Sequence, residues 1–193
     1  AELVKTKQVS ASELLEASIA RAEAYNPRFN FMAHKLYERA RAAVAKGVPE
    51  GPFQGVPWLI KDLNTNIAGE LTEQGSRLFK GNRATVTSEL VKRQERAGLV
   101  IFGKTTSPEF GLTGTTESTL MGATRNPWNP AHTPGGSSSG SAAAVAAGFL
   151  PVAIGTQTLG SVIRPAAFCG VVGYKPSFGA ISRDGVFPFS RTL

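Results

Sequence analysis

Thiols are almost absent from this chain of 193 residues: Cys169 is its single cysteine. No internal disulfide can form, and such usage agrees with a reducing, cytoplasmic setting. Histidines are equally scarce, at His34 and His132. No His/Cys/acid cluster has metal-ligand spacing, so neither a metal nor another cofactor is expected. Long apolar runs are missing too. The longest weakly polar stretch, Ala142 to Ile154, contains Gly148 and Pro151 and is too short to span a bilayer. The start shows no basic segment followed by an apolar one, so no secretory signal is legible.

What is present is a net charge of +7, carried by 21 Lys and Arg against 14 Asp and Glu. The bases are scattered and interleaved with acids, as in Arg93-Gln94-Glu95-Arg96. Such a run reads as a solvated helix face, and no aromatic platform interleaves it, so nucleic acid is not an expected partner. An apolar fraction of 41% suits a soluble globular protein. The length is most simply one domain with a sizeable core.

Along the chain, Ser10-Ala11-Ser12-Glu13 has the form of a capping box, and Leu14, Leu15, Ile19 and Ala22 follow at roughly helical spacing. That helix should end by Asn26-Pro27. A second is expected from Ala33 to Lys46, stopped by Gly47 and Pro49, and a third from Thr87 to Ala97, before Gly98. Short strands are expected at Trp58–Lys61, Leu99–Phe102, Pro151–Gly155 and Val171–Tyr174, with a helix at Ser141–Ala147. Alternation of this kind predicts an α/β fold, layered α/β/α around a mixed central β-sheet. No internal repeat is visible.

Two familiar patterns fail on context. Gly98 to Thr105 spells G-x-x-x-x-G-K-T, but a phosphate loop needs a strand before its first glycine and a helix from its Lys-Thr. Here the intervening residues are themselves a strand, and Pro108 disfavours a helix. Gly136 to Gly140 spells G-x-S-x-G, yet the preceding Asn129-Pro130-Ala131-His132-Thr133-Pro134 is no central strand, and both histidines precede the loop. His132 reads as a loop residue and His34 as a helix-surface one. Cys169, in Ala166-Ala167-Phe168-Cys169-Gly170, reads as core packing, since no neighbouring positive charge would lower its pKa.

The informative stretch is Gly135-Gly136-Ser137-Ser138-Ser139-Gly140-Ser141, followed by alanines. Small residues in series let backbone N–H groups and hydroxyls approach a ligand closely. A second small-residue loop, Thr156-Gln157-Thr158-Leu159-Gly160-Ser161, lies shortly after. A site of hydroxyls lacks a base, and Gly55-Val56-Pro57-Trp58-Leu59-Ile60-Lys61-Asp62 offers a lysine in an apolar setting. Buried and neutral, Lys61 would be that base; exposed and paired with Asp62 or another acid, it would stay charged. The residues alone leave both readings open.

In this order G-V-P-x-x-x-K-D, R-N-P-W-N-P, P-G-G-S-S-x-G-S-A-A-A, T-x-T-x-G-S and P-A-x-F-C-G-x-x-G-x-K-P resemble the amidase signature family, from Gly55 to the last residue. The resemblance implies a single catalytic domain over 1–193, of which this is the N-terminal portion, with 1–50 a helical entry segment and 55–193 the signature core. Both ends look cut: the chain starts at Ala1 and stops at the apolar Phe187-Pro188-Phe189-Ser190-Arg191-Thr192-Leu193. It further implies an amidohydrolase of a small carboxamide, working through an acyl-serine. Lys61, Ser137 and Ser161 would be base, bridging serine and nucleophile, with a cis bond between Gly136 and Ser137. Backbone N–H groups of Thr158, Leu159, Gly160 and Ser161 would hold the oxyanion. Ser138 and Ser141 would cap the following helix and hold the loop. A homodimer and no membrane partner fit the same picture.

Several positions depart from the pattern. The family most often has glycine at Leu159, and leucine resists φ > 0 by roughly 1–2 kcal/mol. Gln157 replaces the usual aspartate, so any ion pair of that aspartate is absent, and Ser139 stands where glycine is common. The family arginine two residues after the nucleophile is displaced, with Ile163 there and Arg164 next. A structural ion pair is the favoured duty of Arg164; otherwise its charge would meet a substrate carboxylate. Two other readings stay open: the catalytic subunit of a tRNA-dependent amidotransferase, and an inactive fragment or non-catalytic binding protein.

Overall fold

The computed structural model describes residues 1–148 and 150–187. Of the apolar end at 187–193, all beyond Phe187 lies outside the described residues. After a short helix α1 (Glu2–Lys5), helix α2 spans Ala11–Phe29 and opens on the expected capping box. Ser10 Oγ accepts from Glu13 N at 3.1 Å, and the Glu13 carboxylate accepts from Ser10 N at 2.8 Å. The helix runs past Pro27 to Phe29, a turn beyond the expected end. Pro27 removes one N–H, but Asn26 supports the last turn and the exit. Its carbonyl accepts from Asn30 N, and its side-chain oxygen accepts from Phe31 N and Met32 N at 3.0 and 2.9 Å.

The expected helix from Ala33 is corrected at its start. Met32–Lys35 is strand β1, and helix α3 begins only at Tyr37, running to Lys46. Alternate burial of Met32 and His34 and an open edge of the sheet outweigh helix propensity there. Strand β2 (Val56–Lys61), helix α4 (Glu89–Arg96) and strand β3 (Leu99–Thr105) follow. A small hairpin, β4 (Glu117–Ser118) with β5 (Gly122–Ala123), precedes helices α5 (Ser139–Ala146) and α6 (Ile163–Cys169).

The main sheet has the order β1-β3-β2, with β1 antiparallel and β2 parallel to β3. It is a mixed sheet, as expected. Segments Pro151–Gly155 and Val171–Tyr174 are not strands, which corrects two assignments. Both are short apolar runs beside glycine and proline, a pattern that periodicity alone does not separate from irregular chain. β3 is buried along its whole length because both faces of the sheet are covered. Leu59, Val100 and Phe102 pack with Leu15, Ile19 and Ala22 of α2, Ala40 of α3, and Ala143 and Ala144 of α5. On the other face Trp58, Ile60, Leu99 and Ile101 pack with Val91 of α4 and with Ile67. Among the described residues no helix is long and apolar enough to cross a membrane.

This arrangement decides where the chemistry-bearing loops meet. The parallel strands β2 and β3 end side by side at Lys61 and Thr105. The start of α5 lies against that end: Gly140 N donates to Thr106 O at 3.2 Å. A Cβ on Gly140 would stand 2.5 Å from Thr106 N, so only glycine permits the approach. From its second residue on, the G-x-x-x-x-G-K-T pattern is strand β3, with Lys104 wholly buried, and forms no phosphate loop.

Candidate active site

Lys61, the last residue of β2, is completely buried. Its Nζ donates to Ser137 Oγ at 2.7 Å and to Thr156 Oγ1 at 3.0 Å. Burial lowers its pKa to about 7, since an apolar surrounding disfavours the ammonium. Of the two readings left open by the residues, pairing with Asp62 is not what the fold builds. The Asp62 carboxylate accepts from Glu73 N and Gln74 N at 3.1 and 3.0 Å and faces Lys104 Nζ at 3.5 Å. His34 Nε2 lies 3.1 Å from the same carboxylate. His34 is therefore a buried strand residue, not a helix-surface one.

The serine loop is fixed by hydroxyls. The Gly136–Ser137 peptide is cis. Ser139 Oγ donates to Gly135 O and meets Thr116 Oγ1 at 2.5 Å. Ser141 Oγ donates to Ile154 O at 2.7 Å and meets Thr105 Oγ1 at 2.8 Å. Ser138 occupies the N-cap position of α5, yet its hydroxyl does not cap it. It accepts from Thr156 N at 3.2 Å and donates to Thr156 O at 3.3 Å. Ser138 and Ser141 thus hold the loop, as expected, but neither hydroxyl caps the helix.

Ser161 is brought against this loop through its main chain, with Ser138 N donating to Ser161 O at 3.0 Å. Its hydroxyl makes no hydrogen bond among the described residues, to Ser137 or any other. The same holds for the N–H groups of Thr158, Leu159, Gly160 and Ser161, a row of free donors leading into α6. Leu159 is not among the positive-φ residues, whereas Gly160 is, at φ 131°. The glycine requirement therefore falls on Gly160. The Leu159 side chain is 77% exposed.

Gln157 is a residue whose role sequence reasoning missed. Its side-chain oxygen accepts from Val162 N at 2.9 Å and Ile163 N at 3.0 Å, closing the loop onto the first turn of α6. A neutral amide supplies the acceptor this geometry needs, so the missing aspartate charge leaves the closure intact. Arg164 does not make the expected ion pair among the described residues. Its Nη1 donates to Gly136 O at 3.4 Å, and the rest of the guanidinium is unpaired. A Cβ on Gly114 would lie 2.6 Å from that Nη1, so Gly114 leaves the room it occupies. Cys169 is fully buried and its thiol is pushed up to about 11 by burial, which is the core-packing role expected of it.

Comparison with known proteins decides the family. The Amidase family profile matches residues 13–193. The chain belongs to the amidase signature family. It is 47% identical over 184 residues to a 6-aminohexanoate-cyclic-dimer hydrolase of Paenarthrobacter ureafaciens, covering 94% of this chain and 37% of that protein. It is 42% identical over 197 residues to a glutamyl-tRNA(Gln) amidotransferase subunit of Agathobacter rectalis, covering 98% of this chain and 39% of that protein. A solved structure of a 6-aminohexanoate cyclic dimer hydrolase complexed with substrate superposes with a TM-score of 0.84 at 45% identity. That superposition covers 88% of this chain and 35% of the other. The chain thus spans less than half the length of these amidase signature relatives.

Proposed function

We propose that this chain carries the catalytic groups of an amidohydrolase that cleaves the C–N bond of a small carboxamide through an acyl-serine. The observation that supports this most is Lys61 Nζ at 2.7 Å from Ser137 Oγ, in full burial that lowers the lysine to about pKa 7. A serine hydroxyl is a weak nucleophile until a base takes its proton, and neutral lysine is competent for that. Neutral Lys61 draws the proton from Ser137, Ser137 draws it from Ser161, and Ser161 Oγ attacks the carbonyl carbon. The free N–H row from Thr158 to Ser161 receives the developing oxyanion. Collapse breaks the C–N bond, and the proton returns through Ser137 to the leaving amine or ammonia. Water then repeats the sequence on the ester to release the acid.

The test is ammonia or amine release from a panel of amides by the protein expressed from its complete open reading frame. A small alkyl fluorophosphonate adds an independent probe, with the modified residue located by mass spectrometry. Label on Ser161 supports the proposal. Turnover without label there, or label on another serine, overturns it.

A second reading rests on the 42% identity to an amidotransferase subunit. It predicts glutamine as the amide hydrolysed, with release accelerated by partner subunits, and the same panel separates it from the first.

Two smaller outcomes follow from the geometry. Because Leu159 does not adopt φ > 0, replacing it by glycine relieves no strain. Turnover of the best substrate should change by less than about threefold, under 1 kcal/mol, while bulky amides gain relative to short ones. Arg164, with no acid opposite it among the described residues, stands where its charge can meet a substrate carboxylate. Arg164→Met should then raise KM for carboxylate-bearing amides about tenfold, the order lost with one charge-assisted contact, and leave neutral amides within about twofold. Equal effects on both classes would assign Arg164 to structure alone.

A further inference from the structure

We propose that Thr156 is a positioning residue that aims the lone pair of Lys61 at Ser137, an inference that rests on reading Lys61 as the base. A neutral amine has two N–H donors and one lone pair on a tetrahedral nitrogen. Along the Nζ–Oγ line of 2.7 Å the ammonium donates an N–H; to take a proton from Ser137, the neutral amine must present its lone pair there instead. Rotation about the last side-chain bond would otherwise exchange lone pair and N–H freely. Thr156 Oγ1, at 3.0 Å from Nζ, accepts one N–H and stops that rotation.

Thr156 is itself held, which a positioning residue must be. Its N–H donates to Ser138 Oγ at 3.2 Å, and Ser138 Oγ donates back to its carbonyl at 3.3 Å. The loop is tight here: a Cβ on the preceding Gly155 would stand 2.8 Å from Ser138 Oγ. Ser138 is also bonded through its N–H to Ser161 O at 3.0 Å. One serine therefore ties Thr156 and Ser161 to the residue beside Ser137, so the acceptor, the base and the serines keep a common frame.

The effect on Lys61 has a definite sign. An ammonium donates a charge-assisted bond to Thr156 Oγ1, which is stronger than the bond from the amine. Removing the acceptor therefore destabilises the charged form more and lowers the lysine pKa. The other ionisable groups at this end of the sheet pair among themselves: Asp62 at the end of β2 with Lys104 of β3 and His34 of β1, and His34 with Glu73. From α6 comes Arg164, which rests on Gly136 O. None of them is hydrogen-bonded to Lys61.

The experiment measures the second-order rate of fluorophosphonate attachment to Ser161 as a function of pH, in the protein from its complete open reading frame. Thr156→Val keeps the shape and deletes the acceptor; Thr156→Ser keeps the acceptor. For Thr156→Val the plateau rate should fall about thirtyfold, while the acid limb moves to lower pH by about half a unit. Thr156→Ser should return both to near the parent values. A Thr156→Val protein with the parent plateau, or with a lowered plateau and an unmoved acid limb, overturns the proposal. So does a Thr156→Ser protein as slow as Thr156→Val. Lys61→Met serves as the control: if it labels normally, the reading of Lys61 as base falls as well. If it is dead while Thr156→Val is normal, only the role of Thr156 falls.

Discussion

Ser161→Ala, in the protein expressed from its complete open reading frame, should lower kcat on the best amide by about four to six orders of magnitude. Fluorophosphonate labelling should disappear with it. The reason is chemical: on this reading the Ser161 hydroxyl is the nucleophile, and it stands at the end of the N–H row from Thr158 to Ser161 that makes no hydrogen bond among the described residues. Substitution of the side chain leaves that row in place, because the Ser161 carbonyl, not its hydroxyl, is what Ser138 N holds. Residual catalysis from oxyanion donors and binding therefore remains, on the order of a thousandfold over water. Ser137→Ala breaks the relay one bond earlier and should be nearly as damaging. The two changes together should then cost no more than Ser161→Ala alone, since groups that act as a unit are not additive. Retention of more than a tenth of the parent kcat by Ser161→Ala would reject Ser161 as nucleophile. A double variant far below the single one would show Ser137 working outside the relay.

Part of the candidate site was legible from composition, since loops of small residues and a lysine after an apolar run point to hydroxyls with a base nearby, while the roles of Lys61, Ser137 and Ser161 came only from the family resemblance. Trp58-Leu59-Ile60 announced a buried strand, and burial is what lowers Lys61. Positions that depend on tertiary partners were not legible. Nothing local distinguishes Thr156 from Thr158, yet Ser138 turns the first toward Lys61. Gln157 looked like a lost charge, and only the placement of α6 shows that two N–H groups need its oxygen. His34 looked like a helix-surface residue because the helix was expected to begin at Ala33, whereas it begins at Tyr37; pairing of Met32–Lys35 with β3 was decided by chain some seventy residues away. The concern over Leu159 came from family pattern, and the backbone moves it one residue on, to Gly160.

Lys61→Met should abolish turnover and yet change stability in a direction opposite to most deletions at a buried polar site. In the folded chain Lys61 is pushed down to about 7, against an ordinary value of 10.5. Below pH 7 both folded and unfolded lysine are protonated, and the folded state carries the full penalty of a buried ammonium. Between about 7 and 10.5 the unfolded chain binds the proton and the folded chain does not. Stability therefore rises with pH across that window and levels off above it. The span corresponds to roughly 5 kcal/mol. Methionine has no proton to bind, so the stability of Lys61→Met relative to the parent should be greatest at pH 7 and below, and should shrink steadily toward pH 10.5. Its lost bonds to Ser137 and Thr156 shift the whole difference by a constant and leave the slope untouched. Activity of the parent should rise with pH with a midpoint near 7, as the neutral base accumulates. Chemical denaturation of both proteins at several pH values measures the slope. A stability difference independent of pH from 7 to 10 would mean that Lys61 stays protonated in the fold, and it would remove the base from the mechanism.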